Sequence, residues 1–190
     1  YDCTLTGVNR FCQSRGDPHF TPLDYGSGST IHDFYAIGDY TYFDNAGDTC
    51  LELLVQARLC LRYPDGHATY NHAVAFKTPA MSSAVVVARV EGEWVMTYDE
   101  DDDSMPPMSG SGRVRHFTFD GARLTVNAYS GNASVLNFGM VLDERYMNEE
   151  DSGLCVEAAA GGNHDTSIRL TDADNLFKQF APELEECFEP

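Results

Sequence analysis

The peptide bond between Asp17 and Pro18 is chemically labile. A carboxylic acid can attack its own main-chain carbonyl, and the proline nitrogen is an unusually good leaving group. His19 follows directly and would assist proton transfer if it were held close. Water would open the resulting anhydride, and another nucleophile would capture it as a crosslink, so the reaction would occur once per chain. The alternative is that Asp17 and His19 only hydrogen-bond and order the start of a strand.

Cysteine is the second source of chemistry, with six residues in the chain: Cys3, Cys12, Cys50, Cys60, Cys155 and Cys187. The number is even and no Cys-x-x-Cys pair occurs, so neither a zinc ribbon nor a thioredoxin-type redox site is indicated. Because the cysteines cluster early and late in the chain, we predict three disulfides formed in an oxidising compartment. Six reduced, buried thiols in a cytosolic protein are the alternative.

Conventional catalytic patterns find no support in the sequence. The histidines are scattered and show no His-Glu-x-x-His spacing, and no nucleophile elbow, phosphate loop or dinucleotide fingerprint occurs. With 30 acidic residues in the chain, some acid pairs arise by chance and do not identify a glycosidase. We therefore predict a protein that is not an enzyme with turnover.

The chain is strongly acidic, with a formal net charge of -18. Such a surface repels nucleic acid and anionic lipid, and it attracts cations and basic partners. Solubility in a salty or secretory setting is the simplest interpretation. No apolar run approaches the ~18 residues of a membrane span, so membrane insertion is not predicted.

Residues 99–103 are all acidic, and Pro106 and Pro107 follow them closely. The charges repel one another and the prolines oppose strand pairing, so we predict a solvated loop. The alternative, a calcium loop, would need spaced ligands and a glycine to turn the backbone, and this run has neither.

Short β-rich runs separated by turn signals dominate the chain, at a spacing typical of an antiparallel β-sandwich. The predicted strands cover residues 40–43, 51–62, 73–77, 84–90, 94–98, 113–119, 123–128 and 135–142. Glu91-Gly92-Glu93 and Asp120-Gly121 are predicted hairpin turns, the latter because both central positions need positive φ.

Helix is predicted only near the end of the chain. Thr171 would cap a helix with Asp174 at its third position and an apolar face containing Phe177. The resulting prediction is one mainly-β domain over residues 1–190, an antiparallel, disulfide-stapled sandwich with a short C-terminal helical segment. Its core would span about residues 12–180, with cysteines tying in the extensions 1–11 and 181–190.

Residues 12–20 read Cys-Gln-Ser-Arg-Gly-Asp-Pro-His-Phe. This segment resembles the opening of von Willebrand factor type D domains, in which a cysteine precedes Gly-Asp-Pro-His-Phe and then Thr-Phe-Asp-Gly. The continuation here keeps the acidic residue, Asp24, but lacks the glycine. Ser-Gly-Leu-Cys at residues 152–155 is similar to the family's Gly-Leu-Cys-Gly element. The resemblance covers roughly residues 12–180.

The resemblance implies a disulfide pattern that sequence alone leaves open. The pairs would be Cys12 with Cys155, Cys50 with Cys60, and Cys3 with Cys187.

A calcium site is also implied by the resemblance. In the family, the aspartate after the motif binds calcium together with an Asn-x-Asn-Gly loop and paired aspartates. Asp24 matches the first position, whereas the loop here lacks the family pattern and offers only Glu157, Asn163 and Asp165. Calcium takes about six to eight oxygen ligands, so a retained site and a degraded loop both stay open.

The family's role implies an extracellular structural or adhesive module that mediates assembly in a matrix, filament or surface coat. Its partners would be other copies, other extracellular proteins or glycans. Asn132 begins an N-glycosylation sequon, which a secreted chain could use. One alternative is a calcium-dependent glycan- or protein-binding module. Another is a self-cleaving module, since some relatives cleave their Asp-Pro bond at mildly acidic pH.

Overall fold

The computed structural model describes residues 8–16, 19–23, 32–34, 37–45, 51–61, 69–129, 135–147, 151–157, 170 and 173–184. The fold is mainly β, and its strands join into one antiparallel sheet. The strands are β1 (Asn9–Arg15), β2 (His19–Thr21), β3 (His32–Asp33), β4 (Gly38–Asp44), β5 (Leu54–Leu61), β6 (Thr69–Lys77), β7 (Val85–Val90), β8 (Glu93–Thr97), β9 (Met108–Ser109), β10 (Val114–Phe119), β11 (Ala122–Ala128) and β12 (Leu136–Asp143). A 3-10 turn (Glu144–Tyr146) and the short helices α1 (Leu154–Glu157) and α2 (Leu176–Phe180) complete the described part.

The sheet folds back on itself, which confirms the predicted antiparallel sandwich. Strands β4 to β8 form one half, and β1 to β3 with β9 to β12 form the other. The halves join where Leu136 of β12 pairs with Asn71 of β6. Their inner faces meet through aromatic rings: the centroids of Phe76 and Phe117 lie 4.8 Å apart. These rings belong to one buried apolar core between the halves.

Every predicted strand falls on an observed one, while β1, β2, β3 and β9 were not predicted. In β1 the fully buried side chains are Cys12 and Ser14, so the strand lacks the apolar alternation that signals a half-buried strand. Strand β5 begins at Leu54, because the preceding residues 51–53 are not paired in the sheet.

The two predicted hairpin turns lie where expected, with one difference in conformation. Glu91 and Gly92 both take positive φ, 51° and 89°, as a two-residue turn between twisted strands requires. At the second turn Gly121 has a φ of 71°, but Asp120 does not share the positive value. The carbonyl of Asp120 accepts a 2.7 Å hydrogen bond from the Tyr146 hydroxyl, so a tertiary contact fixes this turn.

The C-terminal segment 173–184 covers the outer face of the β4–β8 half. Leu176, Phe177, Ala181 and Leu184 pack on small side chains of β6 and β7 in a second apolar cluster. The predicted cap at Thr171 is wrong for this helix: α2 begins at Leu176, and the side chain of Asn175 accepts from the N–H groups of Phe177 and Lys178. Thr171 itself lies outside the described residues. Within the described ranges, no helix is long and apolar enough to cross a membrane.

Candidate functional site

A disulfide joins Cys12 of β1 to Cys155 of α1 across 143 residues of sequence. Both side chains are fully buried, and their Cα atoms lie 5.8 Å apart. The N–H of Leu23 donates a 2.9 Å hydrogen bond to the carbonyl of Cys155. The early segment of the chain is therefore held against the late one by a covalent link and a backbone hydrogen bond.

The residues just before Cys155 are fitted closely to β4. Ser152 and Asp44 exchange two backbone hydrogen bonds of 2.9 Å and 3.0 Å. Gly153 has a φ of 104°, and a Cβ placed there would lie 2.7 Å from the main-chain carbonyl of Tyr42. Only glycine fits this backbone conformation and this close approach, which explains the glycine of the Ser-Gly-Leu-Cys element.

Of the three disulfides that the family pattern implies, the pair Cys12–Cys155 is present. Cys60 is also disulfide-bonded, and its partner lies outside the described residues. Cys3, Cys50 and Cys187 all lie outside them, so the pairs Cys50–Cys60 and Cys3–Cys187 stay predictions.

Most of the other predicted site residues also lie outside the described part, namely Asp17, Pro18, Asp24, Asn132, Asn163 and Asp165. His19 is exposed at the start of β2 and pairs in register with Arg15 of β1. Glu157 ends α1, and its side chain is not described. The hydrogen bond between Leu23 and Cys155 thus joins two segments that lead to predicted calcium ligands. Leu23 directly precedes Asp24, and Cys155 lies two positions before Glu157.

The acidic run 99–103 forms an exposed turn whose backbone is fixed by serines. Asp102 accepts hydrogen bonds from the backbone N–H of Ser82 at 2.7 Å and its hydroxyl at 2.8 Å. The backbone N–H and hydroxyl of Ser104 also donate to it. These bonds hold the pKa of Asp102 well below its usual range, and the bond from the Ser104 hydroxyl has the largest effect.

Four hydrogen bonds from Ser82 and Ser104 thus satisfy the Asp102 carboxylate. Among the described residues, no group of three or more His, Cys, Asp or Glu side chains is placed to hold a metal ion. The predicted loop is present at the surface, but it is pinned to the β6–β7 connection rather than merely solvated.

A cationic surface that sequence reasoning missed lies where β8 meets β10. The guanidinium carbons of Arg89 and Arg115 lie 5.6 Å and 4.8 Å from the centroid of the Trp94 ring. The Trp94 N–H donates a 2.8 Å hydrogen bond to the carbonyl of Gly112, so the ring links β8 to the segment that precedes β10. We call Arg89, Trp94 and Arg115 the Arg–Trp patch.

The sequence alone predicts that Arg89 and Trp94 are neighbours, but it does not predict the position of Arg115. Arg89 and Trp94 face each other across the predicted Glu91-Gly92 turn, so the hairpin register alone places them side by side. Arg115 comes from the other half of the sandwich, and its approach depends on how the sheet closes.

Fold and contacts together define a disulfide-linked, mainly-β sandwich domain. A scan against protein-family models and a search of curated proteins both find no match for this chain.

Proposed function

We propose that this chain is an extracellular structural or adhesive module that mediates protein assembly in a matrix, filament or surface coat. The buried disulfide between Cys12 and Cys155 is the observation that carries the proposal. Disulfides of this kind persist in oxidising compartments such as the extracellular space. The resemblance of residues 12–20 and 152–155 to von Willebrand factor type D domains supports the same role.

A surface cleft of the domain lies beside the Asp120 turn, which an internal hydrogen bond holds in place. The cleft has a volume of about 520 Å³ and lies between Pro79, Met105 and Tyr146. The Tyr146 hydroxyl donates to the Asp120 carbonyl, and burial, with the nearby Asp120 charge, raises its pKa to about 12. A tyrosine in this state stays protonated at neutral pH and is a poor general base. Its role is to hold the Asp120 turn.

Light scattering coupled to size exclusion tests the assembly role. We expect the oxidised protein to form oligomers whose mass rises with protein concentration. A monomer at every concentration and pH would contradict the proposal. Maleimide labelling under denaturing conditions, run in parallel, would verify that the tested material is oxidised.

A second candidate is a calcium-dependent module that binds glycans or proteins. The 2.9 Å hydrogen bond from the Leu23 N–H to the Cys155 carbonyl favours it, because it joins the two chain segments that carry Asp24 and Glu157. Calcium bound only to the folded state would raise the melting temperature with calcium concentration. Calorimetric titration that detects no heat, together with an unchanged melting temperature, would remove this candidate.

The third candidate is single-event cleavage at Asp17-Pro18. These two residues fall in the short connection between Arg15 and His19, which pair in the hairpin of β1 and β2. The Gly16 N–H donates a 2.9 Å hydrogen bond to the Asn137 side chain, which anchors the start of that connection. Intact mass spectrometry after reduction, following incubation at about pH 5, should show a fragment ending at Asp17. An unchanged mass would discard cleavage.

A further inference from the structure

The Arg–Trp patch is the part of the described surface where positive charge is concentrated and unpaired. Among the described residues, no carboxylate lies within ion-pair distance of either arginine. The arginines at positions 10, 58 and 145, in contrast, each pair with an acid. Arg113, exposed and two positions before Arg115, adds a further cation to this edge.

The hydrogen bonds of the patch leave several N–H groups for a ligand. Arg89 donates from Nε to the Gly92 carbonyl at 2.8 Å, and Arg115 donates from Nη1 to the Val114 carbonyl at 2.9 Å. Neither arginine contributes to the buried polar atoms that lack a partner. Their remaining N–H groups therefore face solvent, in the planar arrangement that suits carboxylates.

The position of the two guanidinium groups over the Trp94 ring indicates which kind of ligand suits the patch. Because both guanidinium groups lie over the Trp94 ring, the patch presents N–H donors rather than a bare aromatic face for a sugar. A long polyanion would also be repelled by the rest of a surface with a net charge of -18. A turn on a second copy brings a few carboxylates to one point, and although that copy also carries a net charge of -18, its charges farther than about 10 Å from the contact are largely screened at about 0.1 M salt.

The acidic turn 99–103 of a second copy has this chemistry. Glu100, Asp101 and Asp103 are exposed, and their carboxylates take no part in the hydrogen bonds that fix the turn. Within one molecule the turn follows the end of β8 whereas Trp94 lies near its start, about 16 Å away by strand rise. The two surfaces therefore suit contact between molecules.

We propose that the Arg–Trp patch of one copy binds the acidic turn 99–103 of the next. A patch that binds a different surface makes a head-to-tail contact, which builds rings or open filaments rather than closed dimers. This inference rests on the proposed assembly function and names the surfaces that would carry it.

The test uses two charge-neutralising variants of the oxidised, full chain, studied by sedimentation velocity. R89Q/R115Q removes the cations and keeps long, polar side chains. E100Q/D101N/D103N removes the three exposed carboxylates and leaves Asp99 and Asp102 to hold the turn. R15Q/R123Q is the matched control for the patch variant, because it removes two exposed arginines elsewhere and makes the net charge more negative by the same two units.

We expect each patch or turn variant to self-associate at least 10-fold more weakly than the wild type and the control. An equimolar mixture of the two variants should form heterodimers and nothing larger, since one intact patch and one intact turn remain in each pair. Raising the salt from about 0.1 M to about 1 M shortens the Debye length from about 10 Å to about 3 Å and should dissociate the wild type.

Failure of this inference and failure of the assembly function give different results. Oligomers that persist unchanged in both variants would overturn the patch–turn contact and leave assembly standing. A wild type that is monomeric in every condition would overturn both. Patch-dependent binding of heparin by a wild type whose oligomers ignore the patch would also overturn the contact between copies.

Discussion

Arg58 of β5 and Asp39 of β4 form a two-point ion pair beneath the C-terminal segment. Arg58 Nε lies 2.8 Å from Oδ1 of Asp39, and its Nη2 lies 3.0 Å from Oδ2. Its third nitrogen donates to the Leu184 carbonyl at 3.0 Å, and its guanidinium lies over the Phe177 ring. The Asn175 side chain also donates to Asp39. One buried arginine thus ties the covering segment to the sheet.

Breaking this pair should be costly. Asp39→Ala leaves the Arg58 charge buried without its carboxylate, and we expect the free energy of unfolding to fall by about 3–5 kcal/mol. Urea denaturation measures the loss. Arg10→Met is the control, because the Arg10–Glu144 pair is partly exposed and such pairs contribute about 0–1 kcal/mol. Equal losses in both variants would contradict the assigned role of Arg58.

Tyr42 anchors a buried polar cluster where the two halves of the sandwich join. Its hydroxyl donates to Oδ1 of Asn71, and the Asn71 side-chain N–H donates to Ser14 at 2.9 Å. All three side chains are fully buried, and burial raises the pKa of Tyr42. Tyr42→Phe should cost about 1–3 kcal/mol, because Asn71 Oδ1 loses its donor.

The neighbouring Tyr40 supplies the comparison on the same strand. Its hydroxyl donates to the Ile37 carbonyl at 3.1 Å in a part-buried setting, so Tyr40→Phe should cost less. Denaturant unfolding of the two variants measures the loss in free energy of unfolding. A Tyr42→Phe loss no larger than that of Tyr40→Phe would contradict a stabilising role for the buried cluster of Tyr42, Asn71 and Ser14.

The acidic turn should respond to pH through Asp102. Its pKa is lowered in the folded state, so the folded chain binds this proton more weakly than the unfolded chain does. The hydrogen bonds therefore add stability above the ordinary aspartate pKa of about 4, and this contribution is lost as pH falls through the lowered value. Ser104→Ala removes the largest cause and should raise the pKa of Asp102 in a carboxyl carbon NMR titration.

Ser83→Ala is the control for that titration, since the Ser83 hydroxyl accepts from the Asp99 N–H and does not donate to Asp102. An Asp102 midpoint that stays the same in Ser104→Ala, or moves as far in Ser83→Ala, would show that the serine donors do not set it.

Sequence patterns predicted the long strands because β-branched and aromatic residues are concentrated there between turn signals. They missed β1, whose buried Ser14 is satisfied by Tyr42 and Asn71, 28 and 57 residues away. They also gave no reason for a buried Arg58, since its burial requires a segment more than a hundred residues later to cover the outer face. A local pattern reports which face is apolar, but not what a distant segment will place on it.

Of the candidate sites, one was predicted before the structure was known and one was predicted only in part. The pairing of Cys12 with Cys155 was implied by the resemblance to von Willebrand factor type D domains, and it is present in the structure. The Arg–Trp patch needs the register of one hairpin and the closure of the sandwich, and only the first is visible in the chain.

Removing the long disulfide should destabilise the domain through the unfolded state. Cys12→Ala/Cys155→Ala frees a loop of 143 residues, and the chain-entropy model gives a loss of about 4–5 kcal/mol. Urea denaturation of the oxidised double variant against oxidised wild type measures it. A difference below about 1 kcal/mol would mean that the link contributes little to holding the early and late segments together.

Non-reducing peptide mapping of the native protein tests most directly that this is an oxidised, stapled domain. The expected result is a linked peptide pair containing Cys12 and Cys155 that separates on reduction, with no thiol alkylated before reduction. Recovery of Cys12 and Cys155 as alkylated free thiols would contradict it, and the proposed extracellular role would lose its principal support.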